Sequence, residues 1–313
     1  MRATRLALAT APLAAAAGLA WSLAEARAFT LRRFTLPVLP PGSPDLRVLQ
    51  LSDLHLVPRQ RKKIAWVRRL AALAPDLVIS TGDNLASPHA VPAVLEAHGE
   101  LLDLPGVFVL GSNDYYGPRK KNPARYLEPA TRSRKLLGDP LPTHSLVAGF
   151  VQAGWHDLTN RRDRLVVNGL RLDFVGVDDA HLDLDKYEVV AGPPAPDASL
   201  TLGVTHAPYR RVLDAMTGDG ADVVIAGHTH GGQLCLPGFG ALVTNCDLPR
   251  RQAKGVSRWT APASPGLDGA PAPQGTRTAW MHVSAGLGTN PYTPVRFACR
   301  PEASLLTLTA RPV

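Results

Sequence analysis

From residue 45 onward, short apolar runs alternate with amphipathic stretches and polar loops. Residues 46–51 (LRVLQL) read as a strand and residues 76–80 (DLVIS) as a buried one. Ile64, Val67, Leu70 and Leu73 fall at helical spacing within residues 60–74, and residues 91–103 carry a second helical pattern. Residues 107–110, 200–205, 223–226, 279–284 and 304–309 are further strand candidates, and residues 165–177 predict a hairpin turning at Asn168-Gly169. Residues 259–276 read as a Pro/Ala/Gly-rich loop. This mixed order predicts an α/β sandwich and excludes an all-α or all-β domain.

The first 44 residues break that pattern. Residues 6–24 carry no charge, and 19 residues is about the length that crosses a bilayer core as one helix. Residues 1–28 are therefore expected to form a membrane anchor, with a cleaved signal segment as the alternative, since Ala24-Glu25-Ala26 and Ala26-Arg27-Ala28 both match A-x-A. Basic residues on both sides of the run leave its orientation open. An anchor implies a membrane-associated catalytic domain, extracytoplasmic in one orientation; the signal alternative implies an exported soluble form. Residues 29–44 contain four prolines and read as a linker to a body spanning residues 45–313.

The chain has 313 residues, enough for a self-sufficient core. Its 27 glycines and 29 prolines follow no three-residue period, which excludes collagen and disfavours a helical bundle. Three cysteines, Cys235, Cys246 and Cys299, cannot form a disulfide framework. The net charge of +8 suits a phosphate-bearing partner, but the basic residues are not interleaved with aromatics, so no nucleic-acid partner is expected. A basic, proline-bearing stretch at residues 115–145 suggests a cap-like insertion, either gripping an anion or forming a solvated face. Arg61, Lys62, Lys63, Arg68 and Arg69 read as another solvated face.

The chemistry gathers where strands end. Ser52-Asp53-Leu54-His55 follows the first strand, Thr81-Gly82-Asp83-Asn84 the second and Gly111-Ser112-Asn113-Asp114 the third. His206 follows residues 200–205, and Gly227-His228-Thr229-His230-Gly231-Gly232 follows residues 223–226. Carboxyl ends of strands form the usual ligand edge of open α/β sheets. Two divalent ions need about six or seven N/O ligands and one anionic bridge, and Asp83 is central among these clusters. Asp178, Asp179 and His181 read as a turn or as outer support, and Tyr115, Tyr116, Trp155 and Tyr209 as cleft lining or core.

Taken together, S-D-L-H, T-G-D-N, G-S-N-D, His206 and G-H-T-H-G-G-Q resemble the calcineurin-like metallophosphoesterase superfamily. S-D-L-H-L and H-T-H-G-G-Q point to its YkuE-like and UDP-diacylglucosamine pyrophosphatase-like bacterial branch. The resemblance covers roughly residues 45–310. It implies a four-layer αββα sandwich and two divalent metal ions, commonly Mn, Fe or Zn. By position, Asp53, His55, Asp83 and His230 would hold one ion, and Asp83, His206 and His228 the other. The third motif departs from the family's Gly-Asn-His-Asp/Glu. An ungapped match makes Ser112 the metal ligand and sets Asn113 at the leaving group. A one-residue shift makes Asn113 the ligand and Asp114 the proton donor.

The expected activity is a phosphohydrolase that attacks phosphorus with a metal-held hydroxide. The expected substrate is a phosphodiester or pyrophosphate of a phosphorylated small molecule or a lipid-linked compound. Two alternatives stand: a broad phosphomonoesterase or nucleotidase, and a non-catalytic metal-binding scaffold. The sequence leaves the oligomeric state open.

Overall fold

A computed structural model describes residues 15–119, 137–264 and 275–312. Among these residues the strands form two six-stranded sheets and a two-stranded one, in which β10 (Cys235–Leu236) pairs with β11 (Gly240–Ala241). The first sheet contains β1 (Thr30–Leu39), β2 (Leu46–Leu51), β3 (Leu77–Ser80), β4 (Gly106–Phe108), β5 (His156–Asp157) and β14 (Glu302–Ala310), in the order β1-β14-β2-β3-β4-β5. The second contains β6 (Arg161–Val167), β7 (Leu170–Gly176), β8 (Leu200–Val204), β9 (Val223–Ala226), β12 (Gly255–Pro262) and β13 (Thr276–Val283), in the order β12-β13-β9-β8-β7-β6. Strands β2 to β5 run parallel, as do β7, β8 and β9, so their carboxyl ends share an edge within each sheet.

Apolar burial explains the layering. Leu36, Val48, Ile79, Leu172, Leu202 and Ile225 belong to a cluster between the two sheets. On the outer side of the first sheet, Leu49, Val78 and Phe108 pack with Ile64 and Val67 of the helix Arg61–Arg68, Val94 of the helix Val91–His98 and Phe150 of the helix Thr143–Gln152. On the outer side of the second, Val224 and Met281 pack with Val212 and Met216 of the helix Arg210–Asp219. Helix, sheet, sheet, helix is the expected αββα order, built because a sheet buried on both faces needs apolar cover on each. The hairpin falls where expected: β6 pairs antiparallel with β7, and Asn168 and Gly169 take φ of 50° and 79°.

One polar chain crosses the apolar inter-sheet layer. The His282 ring of β13 lies 2.6 Å from Gln50 Oε1 of β2, and Gln50 Nε2 donates to Ala226 O of β9 at 2.8 Å and to Thr81 Oγ1 at 3.1 Å. It ties the two sheets together directly beneath the loops that carry the charged motifs. Burial pushes the His282 imidazole down to about 3.

The amino-terminal region differs from expectation. Among the described residues, no helix is long and apolar enough to cross a membrane. Only residues 15–25 of the expected anchor are seen as helix, and residues 1–14 lie outside the described residues. The end of that helix is docked on the body. Glu25 is buried and accepts from the backbone N–H of Ala298 at 3.1 Å and of Cys299 at 2.7 Å, while Arg296 N–H donates to Ser22 O at 3.0 Å. A buried carboxylate saturated by protein N–H groups belongs to a folded interface, not to a bilayer span. The expected linker is corrected too. Residues 30–39 form β1, pairing in parallel with β14 and burying Leu36, Val38 and Leu39.

Most of the expected cap lies outside the described residues: of the basic run, only Arg119 is described, with its guanidinium donating to Leu137 O at 3.0 Å. The loop expected at residues 259–276 starts inside β12, and residues 265–274 lie outside the described residues.

Two outcomes follow. Leu36→Ala is expected to lower the unfolding free energy by about 3 kcal/mol, read from urea melts at unchanged slope; a solvated linker would show no change. His282 stays neutral when folded, whereas the unfolded chain protonates it below its ordinary value of 6.5. Its contribution is therefore present above pH 6.5 and lost as pH falls from 6.5 towards 3, and His282→Gln is expected to make that fall in stability shallower.

Candidate metal centre

The loops after β2, β3, β4, β8 and β9 meet at the shared strand edge. Backbone bonds fix their register: Asp53 N–H donates to Gly82 O, His55 N–H to Asp83 O and Gly227 N–H to His206 O, each at 2.9 Å. Two glycines permit the approach. A Cβ on Gly227 would strike the Ser52 hydroxyl, and one on Gly111 would strike the Asp83 carboxylate and the His206 ring.

Asp53, His55, Asp83 and His230 offer ligand atoms that all lie within 4.8 Å of one another. His55 Nε2 is 3.2 Å from His230 Nε2 and 3.4 Å from Asp83 Oδ2, and His230 Nε2 is 3.5 Å from Asp53 Oδ1. On the other side of Asp83, Oδ1 is 3.5 Å from His206 Nε2, and His228 Nδ1 is 3.3 Å from that same nitrogen. His206 is oriented by its Nδ1, 2.7 Å from Thr81 O. Asp53 Oδ1 is buried with no hydrogen-bond partner among the described residues, which suits a cation in place of a missing donor. Convergent imidazole nitrogens and carboxylate oxygens of this kind fit a divalent cation.

The electrostatics suit a metal at every ligand but His206. Burial pushes Asp53 up to about 6, with Asp83 adding to the rise, because two carboxylates share the space. Burial opposes charge on Asp83 as well, but His206 and His55 beside it hold it well below the usual carboxylate range. Burial drives His55 down to about 4, and His228 and His230 well below the ordinary imidazole value. His55, His228 and His230 are thus neutral, as metal binding requires; burial opposes charge on His206 too, but Asp83, Asp53 and Asp179 push it up to about 9, so a divalent ion there would have to displace its proton.

The backbone here is unusual. Asp53, His55, Asp83, His228 and His230 all take left-handed φ, from 41° to 68°. Each such non-glycine residue costs about 1–3 kcal/mol, so the loops are held by their surroundings rather than by local preference.

A family model described as calcineurin-like phosphoesterase matches residues 46–232, more than half of the chain. The chain belongs to this family. It is 28% identical over 302 residues to the uncharacterized protein YpbG of Bacillus subtilis, covering 95% of this chain and 94% of that one. It is 22% identical over 281 residues to the uncharacterized metallophosphoesterase YkuE of the same organism, covering 87% and 82%. Among solved structures, TT1561 of Thermus thermophilus aligns at a TM-score of 0.41 and 11% identity, covering 78% of this chain and 91% of that one.

The third motif of this phosphoesterase departs from the ungapped match. Asn113 faces Asp83, its N–H donating to Oδ1 at 2.7 Å and its side-chain amide to Oδ2 at 2.8 Å. Among the described residues, no hydrogen bond joins the Ser112 hydroxyl to the cluster. Asp114 is turned into the fold, and burial, with Asp83 beside it, pushes its carboxyl up to about 7. Its carboxylate is fully buried and accepts from the backbone N–H groups of Gly111, Asp83, Asn84 and Leu85 at 2.8–3.2 Å. The cause is the short helix Ser112–Tyr115, whose third residue reaches back to the N–H that precedes the turn.

Other residues escaped the sequence reading. Lys63, expected in a solvated face, is buried and donates to Leu54 O at 2.7 Å, and burial with Arg296 nearby pushes its ammonium down to about 7. Arg296 is fully buried behind His230, with Nη2 at 3.3 Å from His230 Nδ1. Neither has a sequence signal, because an isolated basic residue reads as surface. His181, expected as outer support, stands at the site, its ring centroid 4.7 Å from that of His228 and its Nδ1 3.1 Å from Tyr209 Oη. Tyr115 Oη donates to Asp178 at 2.8 Å, whereas Trp155 is core.

Asp114→Asn is expected to lower the unfolding free energy by about 2–3 kcal/mol, because its amide leaves backbone donors unmet. Ser112→Ala is expected to stay within about 0.5 kcal/mol of wild type and to bind the same amount of metal in an equilibrium titration.

Proposed function

We propose that this chain is a metal-dependent phosphohydrolase acting on phosphodiester or pyrophosphate bonds. In this reading Asp53, His55, Asp83 and His230 hold one divalent ion, and Asp83, Asn113, His206 and His228 hold a second. The observation that carries it is the Asp83 carboxylate, approached from opposite sides by His55 at Oδ2 and His206 at Oδ1, at 3.4 and 3.5 Å. A pair of divalent ions supplies an ionised nucleophile at neutral pH and polarises the phosphoryl oxygens.

The chain's own groups define the rest. The histidines serve as ligands rather than bases, because their ring nitrogens face the carboxylates and one another. The side-chain amide of Asn113 cannot act as an acid, and Asp114 is engaged with backbone amides. The third motif therefore supplies no proton to a departing oxygen, which favours leaving groups of low pKa: nucleotidyl, pyrophosphate or aryl. Among the described residues no helix is long and apolar enough to cross a membrane, so the anchor gives no argument for a lipid-linked substrate. Within the family we read the chain as near the YkuE-like phosphodiesterases, on the strength of S-D-L-H-L, H-T-H-G-G-Q and the alignment with YkuE.

The test is hydrolysis of bis(p-nitrophenyl) phosphate by the full chain, metal-stripped and then given Mn²⁺, beside Asp83→Asn. Mn-dependent turnover is expected, falling by about 10²–10³ or more in the variant, with simple dialkyl phosphates hydrolysed far more slowly. A folded, metal-loaded wild type with no turnover on any phosphodiester or pyrophosphate would leave the metal-binding scaffold as the function.

A further inference from the structure

We propose that Arg296 is the positioning residue for the His230 side of the metal centre. It holds residues 285–288 so that His230 presents a bare Nε2, and Asp53 its carboxylate, to the ion. The inference rests on the metal-centre reading above and concerns a residue outside every motif that defined it.

Arg296 is fully buried, and among the described residues no carboxylate lies within ion-pair distance of it. Its guanidinium is instead ringed by carbonyls. Nη2 donates to Ala285 O at 2.7 Å, Gly286 O at 3.1 Å and Gly288 O at 2.7 Å, and Nη1 to His230 O at 3.3 Å and Cys299 O at 3.4 Å. Nη1 also points at Cys299 Sγ at 3.9 Å. Burying a cation mainly among neutral acceptors is costly, and only a planar fork of N–H groups reaches so many of them.

Two metal-centre residues depend on what that fork holds. Leu287 N–H donates to Ser52 O at 3.0 Å and Gly288 N–H to Asp53 O at 2.6 Å, fastening the clamped segment to the loop of Asp53. Gly288 O also lies 3.2 Å from His230 Nδ1. A proton on Nδ1 is accepted there, which leaves Nε2 bare and facing Asp53 Oδ1 and His55 Nε2. Arg296 Nη2, 3.3 Å from the same Nδ1, carries only donors and competes for the opposite tautomer; the Nδ1 proton goes instead to the Gly288 carbonyl, which Nη2 itself holds at 2.7 Å. The helix at residues 15–25 secures Arg296 in turn, through Ser22 O on the Arg296 N–H and Glu25 on the N–H groups of Ala298 and Cys299.

The test uses the full chain, with Arg296→Lys and Arg296→Gln beside wild type. Metal-stripped proteins are titrated with Mn²⁺, free ion being read by electron paramagnetic resonance, after circular dichroism has established folding. In parallel, the His230 tautomer of the metal-free wild type is read from long-range ¹H–¹⁵N correlations, assigned by their loss in His230→Gln. The expected results are a proton on Nδ1 in wild type and a loss of tenfold or more in affinity for one Mn²⁺ in both variants, with lysine giving no rescue. A folded variant with wild-type Mn²⁺ affinity, or a proton on Nε2 in wild type, would overturn the proposal. If neither variant folds, the wild-type tautomer decides. A wild type that binds no divalent ion brings down the metal-centre reading and this inference with it. A metal-binding wild type with unaffected variants removes only the role of Arg296.

Discussion

Charge cannot be buried without compensation, and the architecture around Asp83 answers that constraint. Its carboxylate has no access to bulk water, so stabilisation must come from the protein and from whatever the site binds. His55, His206 and Asn113 reach it from three different loops. Each loop arrives in register because parallel strands end on one edge. The strained φ at Asp83 persists because Asp114, itself buried, gathers the amides of Asp83, Asn84 and Leu85. One carboxylate is thus given up to structure so that its neighbours can be held in place for chemistry.

The apolar architecture serves the same end. Outer clusters fix the helices, while the inter-sheet cluster sets the two sheets face to face. Ligands from β2, β3 and β4 come from one sheet and those from β8 and β9 from the other, so the centre exists only when both sheets are packed. The Gln50–His282 link puts a directional contact into an otherwise non-directional interface, directly below the point where alignment matters most.

The strand pattern and the motifs were legible because both are local: apolar runs end in glycine-bounded polar clusters, and the ligand types announce themselves. What was illegible depended on direction or on tertiary partners. Whether Ser112 or Asn113 meets Asp83 turns on rotation about a single helical turn, which spacing does not encode. Lys63 and Arg296 are basic residues with no partner nearby in sequence, so their burial had no signal. Residues 6–24 have the length of a span, yet polar Ser22 and the flanking Glu25 find partners nearly 280 residues away. Pro37 suggested a linker, but β1 is an edge strand, where a missing N–H breaks no second ladder.

The strand order has a consequence for how this molecule is made. β14 lies between β1 and β2, so a strand made about 250 residues later separates two that neighbour each other in sequence. Until residues 302–310 leave the ribosome, β1 has no neighbour to pair with and β2 keeps one edge open. Until then the nascent chain carries exposed strand edges, a state open to aggregation and to chaperone capture. The sheet closes by one late insertion, so a chain lacking residues 302–310 would lose the join between β1 and β2.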